Sequence, residues 1–180
     1  MKKLLNDNVK KVIKETLKLN ESLSAQAKTF SFNSDFLSSE NVQNHIGLYK
    51  EYITNFNEIS ARLDTVDKQN VNSSYSEFRS LKLSETFNMN GVYLHELYFA
   101  NIGDPHSEIK MDSLSYMRLA RDFGSFDAWQ KDFMACAAAS QCGWAVTYLN
   151  MYTRTYMNAV IDLHTNNIPF GSYPIVVLDV

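Results

Sequence analysis

Chain breakers are scarce. This 180-residue sequence has three prolines, at 105, 169 and 174, and six glycines. The first hundred residues contain no proline, which leaves long helices free to form there. Cysteine is nearly absent. Cys136 and Cys142 neither build a disulfide scaffold nor match a zinc-binding spacing, and both are expected to be free, mostly buried thiols. No apolar run approaches the roughly 18 residues of a membrane helix; the longest, Phe133 to Ala139, is mostly alanine and cysteine. Met1-Lys2-Lys3 leads straight into Asn6-Asp7-Asn8 with no apolar signal core, so the expected location is cytoplasmic. Charge of one sign is lacking as well. Seventeen Lys+Arg against twenty Asp+Glu give a net charge of −3, which argues against nucleic acid and anionic membranes as partners. What is present is core material: with 45% hydrophobic and 21% charged residues the composition is that of a folded domain rather than a disordered chain. A chain of this length can bury roughly 70% of its unfolded surface.

Apolar positions Leu4, Val9, Val12, Ile13, Leu17 and Leu19 predict an amphipathic helix or arm within residues 1–27. Ser38 to Glu40 supply an N-cap before a periodic run through Ile46, Tyr49, Ile53, Phe56 and Leu63. A polar link over Gln69 to Ser74 leads to a second long helical segment, about Tyr75 to Asn101. The two form an antiparallel hairpin over residues 28–104. In residues 105–180 a short helix is expected around Leu114 to Arg121, and another runs from a Ser125 cap to Ser140. Three β-branched and aromatic runs follow, Trp144 to Leu149, Thr155 to Leu163 and Ile175 to Val180. The predicted class is α+β, a helical hairpin followed by helices around a three-stranded antiparallel sheet.

Four histidines can be weighed singly. His45 shares a helix face with Tyr49 and Tyr52. His95 lies mid-way along the second helix among aromatics, His106 falls in a loop, and His164 sits in a turn after a strand. A histidine on an apolar face is ordinarily a core residue with a hydrogen-bond partner, but two on facing helices can share a metal ion. Asp179 closes an otherwise apolar strand, an unfavourable place for a carboxylate unless a cation neutralises it or the strand emerges there. These residues leave two readings open, a mononuclear nitrogen/oxygen metal site or satisfied core polar groups.

Beyond single residues, five motifs in order resemble the iron/manganese superoxide dismutase family. They are His45 with Tyr49, Tyr52 and Asn57; Phe87-Asn88 leading to His95 and Phe99; Asp122 to Phe126; Gly143-Trp144-Ala145; and Pro174 to Val180. The resemblance implies that His45, His95 and Asp179 bind one Fe or Mn ion per subunit. It implies further that Tyr52, or alternatively Tyr49, stands at the substrate funnel, because the His45 to Tyr52 spacing is one residue shorter than in the commonest members. Trp144, Tyr93 and Phe99 would wall the pocket. Gly91 occupies the helix position where some members carry a solvent-binding side chain, so His164 is expected to take that part from the sheet. The implied substrate is superoxide and the implied assembly a homodimer or larger homo-oligomer. In the family the last strand continues into a Trp-Glu-His-Ala-Tyr-like segment carrying a fourth ligand, a segment this sequence does not contain; the expectation is a C-terminally truncated chain, with a degenerate relative as the alternative. The rival expectations are a non-catalytic structural or assembly protein that keeps the fold, with residues 1–27 as a docking arm, and a different mononuclear metalloprotein on the same scaffold.

Overall fold

The computed structural model describes residues 24–32, 37–103 and 108–180. The amphipathic pattern of residues 4–19 and the loop histidine His106 lie outside the described residues. Two long helices, α1 (Ser39–Thr65) and α2 (Glu77–Ile102), pack against each other as a hairpin. The short α3 (Leu114–Phe123) and α4 (Phe126–Ala139) precede the strands β1 (Gly143–Asn150), β2 (Thr155–Asp162) and β3 (Ser172–Asp179). The sheet is antiparallel in the order β2-β1-β3. Among the described residues no helix is long and apolar enough to cross a membrane.

Serine starts each helix among the described residues. The side chains of Ser38, Ser76, Ser113 and Ser125 accept the backbone N–H three residues on, which satisfies a donor that the first turn would otherwise leave unpaired. Gly124 ends α3 in the left-handed region at φ 87°, open to glycine at no steric cost. α2 begins at Glu77 rather than Tyr75, because Asn72 Oδ1 accepts the Ser74 and Tyr75 N–H groups and holds them in a turn. β3 begins at Ser172, before the expected Ile175. Its Pro174 is tolerated because β3 is an edge strand and the β1–β3 register shifts between Thr147 and Tyr148.

β1 is the central strand, and its first six residues are all buried. Alternation explains how: Trp144, Val146 and Tyr148 join the core shared with the hairpin, around Tyr49, Val92, Phe99 and Ile161. Ala145 packs on the other side with Phe133 and Ala137 of α4, and Thr147 accepts the Trp129 Nε1–H at 2.9 Å. Helices thus cover both faces of β1. Asn101, near the end of α2, accepts the Val177 N–H at 2.8 Å and fixes β3 to the hairpin. Before α1, residues 24–32 run as a strap across the hairpin, with the Asn57 side chain bonded to both the N–H and the C=O of Ala25. The two cysteines are free, but only Cys136 is even half-buried; Cys142 is exposed, because the turn into β1 points its residue outward where a buried thiol was expected.

Gly143 is where the sheet tolerates no side chain. A Cβ there would stand 2.0 Å from the Ile161 carbonyl oxygen. Gly143→Ala should therefore lower unfolding stability by about 2 kcal/mol or more, read from urea denaturation, whereas Gly47→Ala, with nothing within 4 Å of its Cβ, should not lower it.

Candidate metal centre

α1 and α2 each turn one histidine towards the end of β3. His45 and Tyr49 are one helical turn apart on α1, and His95 is 1% exposed on α2. The His45 and His95 rings meet edge-to-face with centroids 5.1 Å apart. Asp179 arrives from β3, opposite Trp144 in the β1–β3 register, and the bonds between Val180 and Gly143 hold the backbone just beyond it. One donor atom from each of His45, His95 and Asp179 lies within 4.8 Å of the others. The strand-end carboxylate thus meets both helical imidazoles.

The hydrogen bonds settle which nitrogen is offered. His95 Nδ1 donates to the Gly91 carbonyl at 2.6 Å, so the neutral ring keeps its lone pair on Nε2, which is buried with no hydrogen-bond partner. His45 Nε2 is likewise buried without one; Asp179 Oδ2 lies 2.6 Å away, close enough for attraction but outside hydrogen-bond geometry. Burial pushes the His95 pKa down to about 4, with Gly91 opposing the shift and His45 adding to it, so the ring is neutral near pH 7. Two unpartnered imidazole nitrogens beside a carboxylate oxygen form the donor set of a borderline cation such as Fe or Mn. The residues fit a metal ion.

Around this cluster stand Trp144, 4.9 Å from His95 by ring centroids, Phe99, 5.4 Å from His45, and Tyr98, 5.1 Å from His45. Tyr93 does not join them. It is 55% exposed and lines a surface cleft with Lys28 and Glu96, because its place on α2 points away from β3. The two candidate tyrosines part company. Tyr49 Oη donates to Glu96 Oε1 at 2.9 Å and accepts the Lys28 N–H at 3.1 Å, and burial raises its pKa to about 12. The Tyr52 ring instead stands 5.2 Å from His95 and 4.7 Å from His164, packed over Gly91, where a Cβ would come within 2.9 Å of it. Burial, then the charge of Asp179, raises the Tyr52 pKa and keeps the phenol protonated.

His164 is 7% exposed although it follows a strand in a turn. Leu163 takes φ 56°, Asn90 Nδ2 donates to the His164 carbonyl at 2.8 Å, and Trp144 Nε1 donates to His164 Nδ1 at 3.0 Å. The neutral ring therefore carries its proton on Nε2. Burial lowers the His164 pKa, with Asp179 opposing. Two features escape sequence reasoning: the Trp144–His164 bond and the Tyr49–Glu96 bond. The first has a signal, since the sequence singles out Trp144 and His164 each for the site; the second joins residues 47 apart with none.

His95 ties stability to pH. Its folded pKa of about 4 lies below its ordinary 6.5, so the unfolded chain takes the proton first. The contribution is complete above about pH 6.5 and is lost as pH falls towards about 4, on the order of 3 kcal/mol. His164 acts in the same sense. Urea midpoints of the metal-free chain should fall over this window more steeply for wild type than for His95→Gln; equal slopes would refute the assignment.

Comparison with known proteins identifies the family. Residues 113–180 match the family described as iron/manganese superoxide dismutases, C-terminal domain. The protein named superoxide dismutase (Fe) of Aquifex aeolicus is 33% identical over 156 residues, which is 82% of this chain and 70% of that protein, and its namesake in Aquifex pyrophilus matches to the same degree. Superoxide dismutase (Mn) 2 of Haloferax volcanii is 36% identical over 95 residues, 53% of this chain and 47% of that protein. The chain belongs to the iron/manganese superoxide dismutase family.

Proposed function

We propose that the chain is a superoxide dismutase working at a mononuclear Fe or Mn centre held by His45 Nε2, His95 Nε2 and an Asp179 oxygen. The observation that carries this reading is the convergence of those donors with both ring nitrogens buried and unpartnered. The family membership supports the choice of iron or manganese and of superoxide as substrate. When bound, the ion supplies one-electron redox chemistry, so that two superoxide anions and two protons become dioxygen and hydrogen peroxide.

The protein's share is electrostatics and protons. Two imidazole nitrogens and one carboxylate would hold the cation, and a carboxylate ligand favours its higher charge state. The Gly91 carbonyl fixes the His95 tautomer, so no proton competes at Nε2 near neutral pH. Trp144, Phe99 and Tyr98 stand beside the two imidazoles as ring carbon, which limits the access of water to His95 and strengthens charge interactions there, while the side chains of His45 and Asp179 stay 23% and 25% exposed. The Tyr52 hydroxyl and His164 Nε2 each hold a proton at neutral pH on neighbouring rings, and these are the groups placed to donate to a reduced oxygen species. Assembly as a homodimer or larger homo-oligomer belongs to the same reading and rests on the family resemblance.

Expression with both metals supplied should yield protein with about one Fe or Mn per chain that accelerates superoxide decay, and His95→Ala should lose the metal and the acceleration together. Wild-type protein that retains neither metal under those conditions would point instead to a non-catalytic use of the fold. Metal retained without accelerated decay would assign the site to another reaction.

A further inference from the structure

Two helices that each contribute one histidine to a common point need something to fix their spacing and axial offset at that level. The apolar contacts between them are poor at this, since ring packing is tolerant of small slides, whereas a buried hydrogen bond is directional. Just such a bond lies beside both histidines. Tyr49 is one turn beyond His45 on α1, and Glu96 follows His95 on α2. Tyr49 is wholly buried; its hydroxyl donates to Glu96 Oε1 at 2.9 Å and accepts the Lys28 N–H at 3.1 Å, so both of its roles are taken. Lys28 Nζ pairs with the other Glu96 oxygen. The joint unites α1, α2 and the strap. On its apolar side the Tyr49 ring meets Phe99 edge-to-face at 5.7 Å and Phe30 at 5.9 Å, and Phe99 in turn meets His45 at 5.4 Å.

We propose that Tyr49 and Glu96 form a positioning pair, a buried strut between α1 and α2 that sets His45 and His95 at the separation a shared metal ion requires. This rests on the metal-binding reading of the site. Neither residue belongs to the three-donor cluster, so the pair acts through the histidines rather than on the ion. Within the joint the hydroxyl–carboxylate bond matters most. Lys28 has a side chain 64% exposed, and solvent screens its pairing with Glu96. The Tyr49 hydroxyl has no solvent to fall back on, so removing it leaves the carboxylate oxygen and the Lys28 N–H short of a partner.

The test uses the metal-free full chain and Co²⁺, followed by its visible absorption. Tyr49→Phe keeps the ring and deletes the strut; Co²⁺ affinity should fall by about 10-fold or more, with a changed absorption band, and Glu96→Ala should match it. Glu96→Gln retains an oxygen that can accept from Tyr49, and its affinity should stay within about 2-fold of wild type. Thr147→Val removes buried hydrogen bonds on the opposite face of β1 and should lower the unfolding midpoint without changing Co²⁺ affinity. If Tyr49→Phe binds Co²⁺ with wild-type affinity and band, or if Thr147→Val weakens binding as much, the strut is ordinary packing and the proposal is wrong. If wild type takes no Co²⁺, the metal reading itself fails and the strut falls with it.

Discussion

A buried polar atom left without a hydrogen-bond partner costs roughly 1–3 kcal/mol, and of the five among the described residues two, His45 Nε2 and His95 Nε2, stand side by side at the end of a strand that delivers a carboxylate. Folding alone gives no reason to hold them so. The surroundings could have satisfied either ring, as the Gly91 carbonyl satisfies His95 Nδ1 and the Trp144 indole satisfies His164 Nδ1. A cation shared by both nitrogens and by Asp179 would turn the liability into a binding site, and on that proposal the rest of the architecture serves to present those atoms together.

That arrangement runs through all parts of the molecule. Serine caps set where the helices begin and therefore which residues of α1 and α2 face each other. The close approach at Gly143 lets β1 sit tight against β2, and β1 in turn holds both Trp144 and the partner strand that ends in Asp179. Asn101 ties β3 to the same helix that carries His95. Because the central strand is covered on both faces, the site rests on rigid elements rather than on loops, as a donor set with close tolerances demands.

Much of this was legible in the sequence. The caps at Ser38 and Ser125 and the helical periodicity behind them are local signals, and local signals survive folding. His45, His95 and Asp179 stood out because polar residues on apolar elements need a reason, although only the fold places them within reach of one another. The misses have non-local causes. Pro174 inside β3 is permitted by the strand's edge position, and Cys142 is turned outward by the loop geometry before β1. His164 is no miss of this kind: its expected part is to serve the site from its turn, and Leu163, in a left-handed conformation, and Trp144 bring it indoors. The choice between Tyr49 and Tyr52 is a matter of which way each hydroxyl faces, and Glu96 decides that for Tyr49 from the other helix.

The most direct measurement is a long-range ¹H–¹⁵N correlation spectrum of the histidine rings during titration of the metal-free chain with diamagnetic Zn²⁺. If His45, His95 and Asp179 surround one point, the Nε2 resonances of His45 and His95 will move together and saturate at about one equivalent, while His95 Nδ1 keeps its proton. Nε2 signals that respond at different equivalents, or not at all, would mean that the two rings do not share a cation, and the account of this protein as a metal-centred dismutase would be contradicted at its root.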